Sequence, residues 1–305
     1  MEGMNARAGS QACVWCLIGT TAIAAPLTPP RAGIQAVRQA ALIPDAAKPP
    51  STPSPRPPPQ DGENAPDDSL PLPIPPVAPR IAEGDQYDRC MDLLADDPAG
   101  ADALAVAWKG GGEAAMQCRA LAQVELGNPA SGAALLTGLA SASAAEPSAR
   151  AEVFGQAAQA WTMAGNAAKA YETATQAIAL SPDDPELRVT HAIAAASVRR
   201  DREAIDDLTA VLAGDPKRAD ALTLRATAYR RLGDLARAQT DIGLACAQDG
   251  ENADALLERG IIRQLLGDRG GARQDWQKVM ELAADTPAGD LAQQDLALLD
   301  AGPAQ

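Results

Sequence analysis

Between residues 84 and 300, small and apolar side chains recur at helical spacing, and the pattern itself repeats every 34 residues. Blocks 151–184, 185–218, 219–252 and 253–286 follow one another without insertion. Their eighth column reads Ala158, Ala192, Ala226 and Gly260, and their twentieth Ala170, Ala204, Ala238 and Ala272. Side chains this small let two helix backbones approach, and a larger residue would overpack the crossing. Between these columns stand Gly165–Asn166, Arg199–Arg200, Gly233–Asp234 and Gly267–Asp268. Gly, Asn and Asp tolerate the left-handed backbone that ends a helix, so only the arginine pair departs from the turn pattern. Ser181–Asp184 and Asp215–Pro216 stop one helix and cap the next. Each block is predicted to be helix, tight turn, helix, stop.

The pattern extends in both directions. Glu113–Glu146 fits a fifth block, with Ala120 and Gly132 in the small columns, Gly127–Asn128 at the turn, and Pro147–Arg150 as a four-residue insertion after it. Residues 84–112 read as a degenerate opening pair that turns at Asp97–Pro98 and ends in Gly110–Gly112. In 287–300, Leu291, Leu296, Leu298 and Leu299 on a polar background predict a capping helix, which the open apolar face of the last repeat requires. Helices of about 14 residues are marginal alone in water, so stability must come from stacking. Strand signals are absent.

Leu222, Ala226, Tyr229, Gly233, Asp234 and Ala238 in one block, with Leu256, Gly260, Gly267, Asp268, Ala272 and Trp276 in the next, resemble the tetratricopeptide repeat, in its exported bacterial type. The chain departs from that pattern at its fourth column, where Phe154 is the nearest aromatic. The tyrosine column reads Trp161, Ala195, Tyr229 and Arg263, and the closing proline is Gly250 or Ala284 in the last two blocks. The resemblance implies an all-α, right-handed solenoid of stacked antiparallel helix pairs whose first helices line a concave groove. In the columns that face such a groove stand Gln117, Leu121, Val124, Glu125, Glu152, Gln159, Met163, Val189 and Ile193. Asp220, Thr223, Thr227, Arg230, Arg231, Asp254, Leu257, Ile261 and Gln264 continue the set. The candidate binding residues are Leu121, Gln159, Met163, Val189, Ile193, Thr227, Arg230, Arg231, Leu257, Ile261 and Gln264.

Some members of the family grip a C-terminal carboxylate with Lys and Asn in these columns. Neither residue stands there, so that activity is not implied. The lining alternates apolar patches with acids, which suits an extended or helical peptide with apolar anchors and basic flanks. In the other reading, Val189, Ile193, Leu257 and Ile261 pack internally or against the linker. For Arg230 and Arg231, contact with an acidic or C-terminal group stands against a solvated face.

The N-terminal part reads differently. Met1–Ala24 carries Arg7, an uncharged stretch Ala12–Ala24, and Ala22-Ile23-Ala24 before Ala25–Pro26. That is the layout of a secretory signal cleaved after Ala24, which would place the mature chain in the periplasm or cell envelope without a transmembrane span; an uncleaved anchor and a chance apolar stretch are the other readings. Residues 25–80 hold 17 of the 25 prolines, a composition that predicts a disordered, extended spacer or a docking strip. The island Ala32–Ile43, with Ile34, Val37 and Ala41 at helical spacing, would fold only against a partner or the array.

Charge and chemistry narrow the function. Residues 25–80 are balanced, so the net charge of −14 sits on the array. Nucleic-acid binders need a basic stripe, and anionic membranes attract bases, so neither partner is expected. Arg199, Arg200, Arg202, Arg225 and Arg237 read as solvated local exceptions. After signal removal Cys90, Cys118 and Cys246 remain. The first two fall on neighbouring first helices, where a disulfide and two free thiols are the open readings. Cys246 reads as a packed, inert thiol. The single histidine, His191, falls in a core-facing column. Gly110–Gly112 lacks the Lys-Ser/Thr of a phosphate loop, and no G-x-S-x-G elbow occurs. Asp96–Asp97, Asp183–Asp184 and Asp206–Asp207 read as turn or exposed pairs. No catalytic set, metal site or cofactor is expected. The functional expectation is a protein- or peptide-binding scaffold, or an accessory subunit of an envelope enzyme complex.

Overall fold

A computed structural model describes residues 80–301, in which thirteen helices and no strand occur. The leader, the proline-rich stretch up to residue 79 and the 32–43 island lie outside the described residues. The opening pair is α1 (Asp85–Asp96) and α2 (Pro98–Ala107), followed by α3 (Gly112–Glu125) and α4 (Pro129–Ala142). Then come α5 (Pro147–Met163) with α6 (Ala167–Leu180), and α7 (Pro185–Ser197) with α8 (Asp201–Gly214). The last pairs are α9 (Ala219–Arg231) with α10 (Leu235–Gln248) and α11 (Ala253–Leu265) with α12 (Arg269–Ala283). The chain closes on α13 (Pro287–Ala301).

Local chemistry sets these boundaries. The Asn166, Asp234 and Asp268 side chains accept from the backbone N–H three residues on, capping α6, α10 and α12. Asp184 accepts from both Glu186 and Leu187, and Pro185 fills the first position of α7, where no N–H is needed. Second helices begin at residues 167, 201, 235 and 269, in step with the 34-residue period. The four-residue insertion Pro147–Arg150 forms an extra first turn, which makes α5 17 residues long. Pro147 takes the initiating position, and Arg150 Nε donates to the Ala140 carbonyl at 2.9 Å.

Each helix packs on the next, and the small columns close the crossings: Ala158, Ala170, Ala226, Ala238 and Ala272 are all 0% exposed. First helices also touch the first helix of the neighbouring repeat, as in α1 with α3, α5 with α7 and α9 with α11. Second helices make no comparable contact with second helices. The stack therefore closes up on the first-helix side and opens on the other. The α1 and α3 helices are also joined by Cys90 and Cys118, whose Cα atoms are 6.0 Å apart and whose sulfurs are in bonding contact. This link ties the shortest pair to the regular array. Cys246 is buried as a free thiol, and burial pushes its pKa up, away from reactivity.

Positive φ marks the turns. Gly127, Gly165, Gly233 and Gly267 lie between 70° and 88°, and Arg199, at 64°, occupies the same place in its own repeat. A side chain in this region costs roughly 1–2 kcal/mol that glycine does not incur. Arg199→Gly should therefore raise the stability of the array by about 1 kcal/mol in urea unfolding, because the Arg199 guanidinium is largely in solvent and the buried Asp201 keeps Arg231 as its partner. An unchanged midpoint would mean that the turn bears no strain.

Candidate binding face

The first helices share one surface, and polar side chains lace its junctions. Tyr87 Oη donates to Gln117 Oε1 at 2.9 Å, and Gln117 Nε2 donates to Gln156 Oε1 at 2.9 Å, linking α1, α3 and α5. Gln159 Nε2 reaches Thr190 Oγ1 at 3.5 Å, joining α5 to α7. Arg230 donates to both oxygens of Glu258, at 2.5 and 3.0 Å, joining α9 to α11. Among the described residues no buried side-chain nitrogen or oxygen lacks a hydrogen bond.

The eleven candidate residues sort by what remains open to a partner. Gln159, Gln264 and Met163 are exposed, Met163 at 42%. Leu121, Ile193, Thr227 and Ile261 are half-buried, and the Thr227 hydroxyl donates back to the Thr223 carbonyl. Val189 and Leu257 are only 8% exposed and fill the core between repeats. Arg230 is taken by Glu258, as above. Arg231 Nη1 donates to the Ala196 carbonyl at 3.1 Å and lies 3.4 Å from Asp201. Both guanidiniums thus fasten this array to itself.

A second feature of the face is a column of carboxylates. Glu152, Glu186, Asp220 and Asp254 stand one repeat apart near the starts of α5, α7, α9 and α11, and all are exposed. Glu152 and Asp254 are exposed yet partly desolvated by the protein around them. That crowding raises both pKa values, and the charges of Asp184 and Glu186 raise Glu152 further. The sign for stability follows. A carboxyl whose folded pKa is raised holds its proton more tightly folded than unfolded, so it opposes folding above the raised pKa. That penalty is relieved as pH falls through the folded value. Glu152→Gln should therefore slightly raise the melting temperature at pH 7 and leave it unchanged once the wild-type carboxyl is protonated. A loss of stability at pH 7 would contradict this electrostatic picture.

Sequence reasoning missed a recurrent ion pair within the repeats. Arg225 Nε and Nη2 donate to Asp241 at 2.7 and 2.9 Å, and Arg259 makes the same fork to Asp275 at 3.0 and 2.6 Å. In the repeat before these, His191 Nδ1 lies 2.5 Å from Asp207 Oδ2, with Arg188 at 3.3 Å from the same carboxylate. The His191 ring also packs 5.3 Å from Tyr171. Asp207 is thus buried rather than an exposed-face residue, and Arg225 is a structural partner rather than a solvated one. The signal lay in the pair, an acid 16 residues after a base, and in neither column alone. His191 is a packing residue held by one carboxylate. Among the described residues no group of three or more His, Cys, Asp or Glu is arranged to hold a metal. No described helix is long and apolar enough to cross a membrane.

No family profile and no curated protein matches the chain. Solved structures do. The chain is similar to TTC0263, a thermophilic tetratricopeptide protein of Thermus thermophilus, with a TM-score of 0.50 and 17% identity. That match covers 61% of this chain and 98% of the other. It is also similar to a chain of the APC/C hetero-tetramer Cut9–Hcn1, with a TM-score of 0.55 and 15% identity over 69% of this chain and 42% of that one. The first tetratricopeptide domain of Spaghetti (RPAP3), solved with the HSP90 peptide SRMEEVD, shares 27% identity over 40% of this chain and 94% of its own, at a TM-score of 0.36. The first two likenesses show the fold: a tetratricopeptide-like solenoid of stacked helix pairs.

Proposed function

We propose that this chain is a non-enzymatic scaffold that holds a segment of another protein in a groove along its first helices. The observation that carries this reading is the contrast between two sets of side chains. The polar groups buried between repeats are all hydrogen-bonded, whereas Met163, Gln264, Glu152 and Asp254 on one face are exposed. A surface that neither stacks repeats nor gathers catalytic groups is free for recognition. The net charge of −14 disfavours nucleic acid as the partner.

A photo-crosslinking amino acid placed at Met163 or Gln264 should trap the partner, and the same probe at Glu172 or Thr240 on the second helices should not. Equal capture from both faces, or capture from the second helices alone, would overturn the reading. The accessory-subunit reading draws on residues 25–80 as a second contact. Deleting that stretch would leave a groove ligand bound and release a partner that docks on the linker.

We place the scaffold in the cell envelope on the signal layout of residues 1–24. Export has two covalent consequences that one intact-mass measurement reads. The mature chain should begin at Ala25, and Cys90 and Cys118 should lack two hydrogens relative to free thiols. A chain that retains Met1 and in which Cys90 and Cys118 are both alkylatable would place it elsewhere.

A further inference from the structure

We infer that His191 is a cation in the folded chain, with a proton on each ring nitrogen, and that it makes the α7–α8 repeat a pH-sensitive joint in an array whose later repeats are pinned by permanent charge. This stands apart from whatever the first-helix face holds.

Hydrogen-bond accounting fixes the protons. His191 is 6% exposed, so both ring nitrogens must find their partners in the protein. Nε2 lies 3.3 Å from Thr175 Oγ1. That hydroxyl also lies 2.7 Å from the Tyr171 carbonyl, which has no hydrogen to give. The one hydroxyl hydrogen of Thr175 is therefore spent on Tyr171, and a lone pair faces the ring. Nε2 is then the donor. On the other side of the ring, Nδ1 lies 2.5 Å from Asp207 Oδ2, and Arg188 donates to the second oxygen of that carboxylate at 3.3 Å. With a guanidinium at its other oxygen Asp207 is held as the anion, which only accepts, so Nδ1 donates too. A histidine that donates from both nitrogens is an imidazolium.

The next repeat shows what this position asks for. Arg225, Asp241 and Thr209 stand one 34-residue period after His191, Asp207 and Thr175. Arg225 donates to Asp241 at 2.7 and 2.9 Å and to Thr209 Oγ1 at 3.2 Å. Arginine has no acceptor and does not lose its charge. His191 thus fills a cation's place with the same two partners: an acid on its own second helix and a hydroxyl on the second helix of the repeat before. Arg259 fills the place again, forked to Asp275. The block 151–184 has Ala157 and Thr173 there, which form no ion pair.

Of these cations only the histidine can be switched off. Asp207 and Glu203 on α8, and the Tyr171 ring on α6 at 5.3 Å, favour its proton. Arg188 on α7, Arg200 lying over Tyr171, and burial oppose it. Two acceptors in direct contact decide the balance. Once the proton leaves, one nitrogen presents a lone pair to an oxygen lone pair, at Thr175 or at Asp207, and the tie between α6, α7 and α8 loosens. The unfolded chain offers the ring no such pair of acceptors. The proton therefore adds stability on the acid side, and that stability is lost as pH rises and the ring becomes neutral. Stability in a stacked array passes from neighbour to neighbour, so one loosened repeat uncouples the pairs before it from those after it.

The test uses the untagged full chain, in which His191 is the single histidine. Nitrogen-15 NMR of the ring at about pH 7 should show both nitrogens protonated. One bare nitrogen would overturn the inference. Urea unfolding then reads the joint. Between about pH 6 and about pH 9, the unfolding constant of the wild type should rise about tenfold more than that of His191→Arg, which takes on the Arg225 arrangement and keeps its charge. Parallel pH profiles for the two chains would overturn the joint. Asp207→Asn gives an arm that needs no arginine at 191. Its ring should have one bare nitrogen at about pH 7, and a ring still doubly protonated would show that the carboxylate does not hold the proton, which also overturns the inference.

Discussion

Trp276→Ala should cost the array about 3–5 kcal/mol and unravel its C-terminal end first. Trp276 is 0% exposed in α12, and its indole N–H donates to the Leu257 carbonyl at 3.3 Å. It faces Gly260 across the crossing of α11 and α12, where a Cβ built on the glycine would lie 2.3 Å from Nε1. The two preceding repeats carry Ala192 with Leu208 and Ala226 with Ile242 at these two positions, all buried in the same apolar core. A larger side chain on one helix is matched by a smaller one on the other. Gly260→Ala alone should therefore cost about 1–3 kcal/mol through overpacking, although alanine is the better helix former. In a Trp276→Leu background the same change should be neutral or stabilising, because it restores the Ala192–Leu208 arrangement. Urea unfolding followed by helical circular dichroism measures each variant. Additive effects of the two changes would show that the crossing does not couple them.

Asp241→Asn is the second large effect expected, a loss of about 2–4 kcal/mol. Asp241 is 5% exposed and receives two bonds from Arg225, whose third arm reaches Thr209 at 3.2 Å. Removing the carboxylate charge leaves the guanidinium pinned between α8, α9 and α10 without a counter-ion. The lower end of that range reflects the 18% exposure of the Arg225 side chain, which lets water recover part of the loss. Replacing both partners together, as in Arg225→Met with Asp241→Leu, should cost far less than the single change, since no charge is then stranded. Equal losses from the single and the double variant would show that side-chain volume, rather than charge pairing, sets the cost.

What the sequence made legible follows from how each constraint is written. A helix crossing needs a small residue, and nearly every repeat answers with alanine, so columns eight and twenty stand out. Turns demand left-handed backbone and answer with Gly, so the exception at Arg199 was visible, though its positive φ was not. The ion pairs are written as a relation. Position seven holds Ala157, His191, Arg225 or Arg259, and position twenty-three Thr173, Asp207, Asp241 or Asp275, and neither column is uniform. The extra turn of α5 was hidden because Pro147 reads equally as a helix stop and a helix start. On the binding face, spacing located the helices but not the depth of each residue. Val189 and Leu257 are drawn into the apolar core. Arg230 and Arg231 are claimed by Glu258, Ala196 and Asp201, contacts between repeats that no single block encodes.

In the proposed function the partner lies on the side of the stack where first helices meet. Hydrogen exchange read by mass spectrometry, with and without the crosslinked partner segment, reports on that side. Protection should rise along α5, α7, α9 and α11 together, with α6, α8, α10 and α12 unchanged. Protection confined to the second helices, or to one repeat alone, would contradict the account.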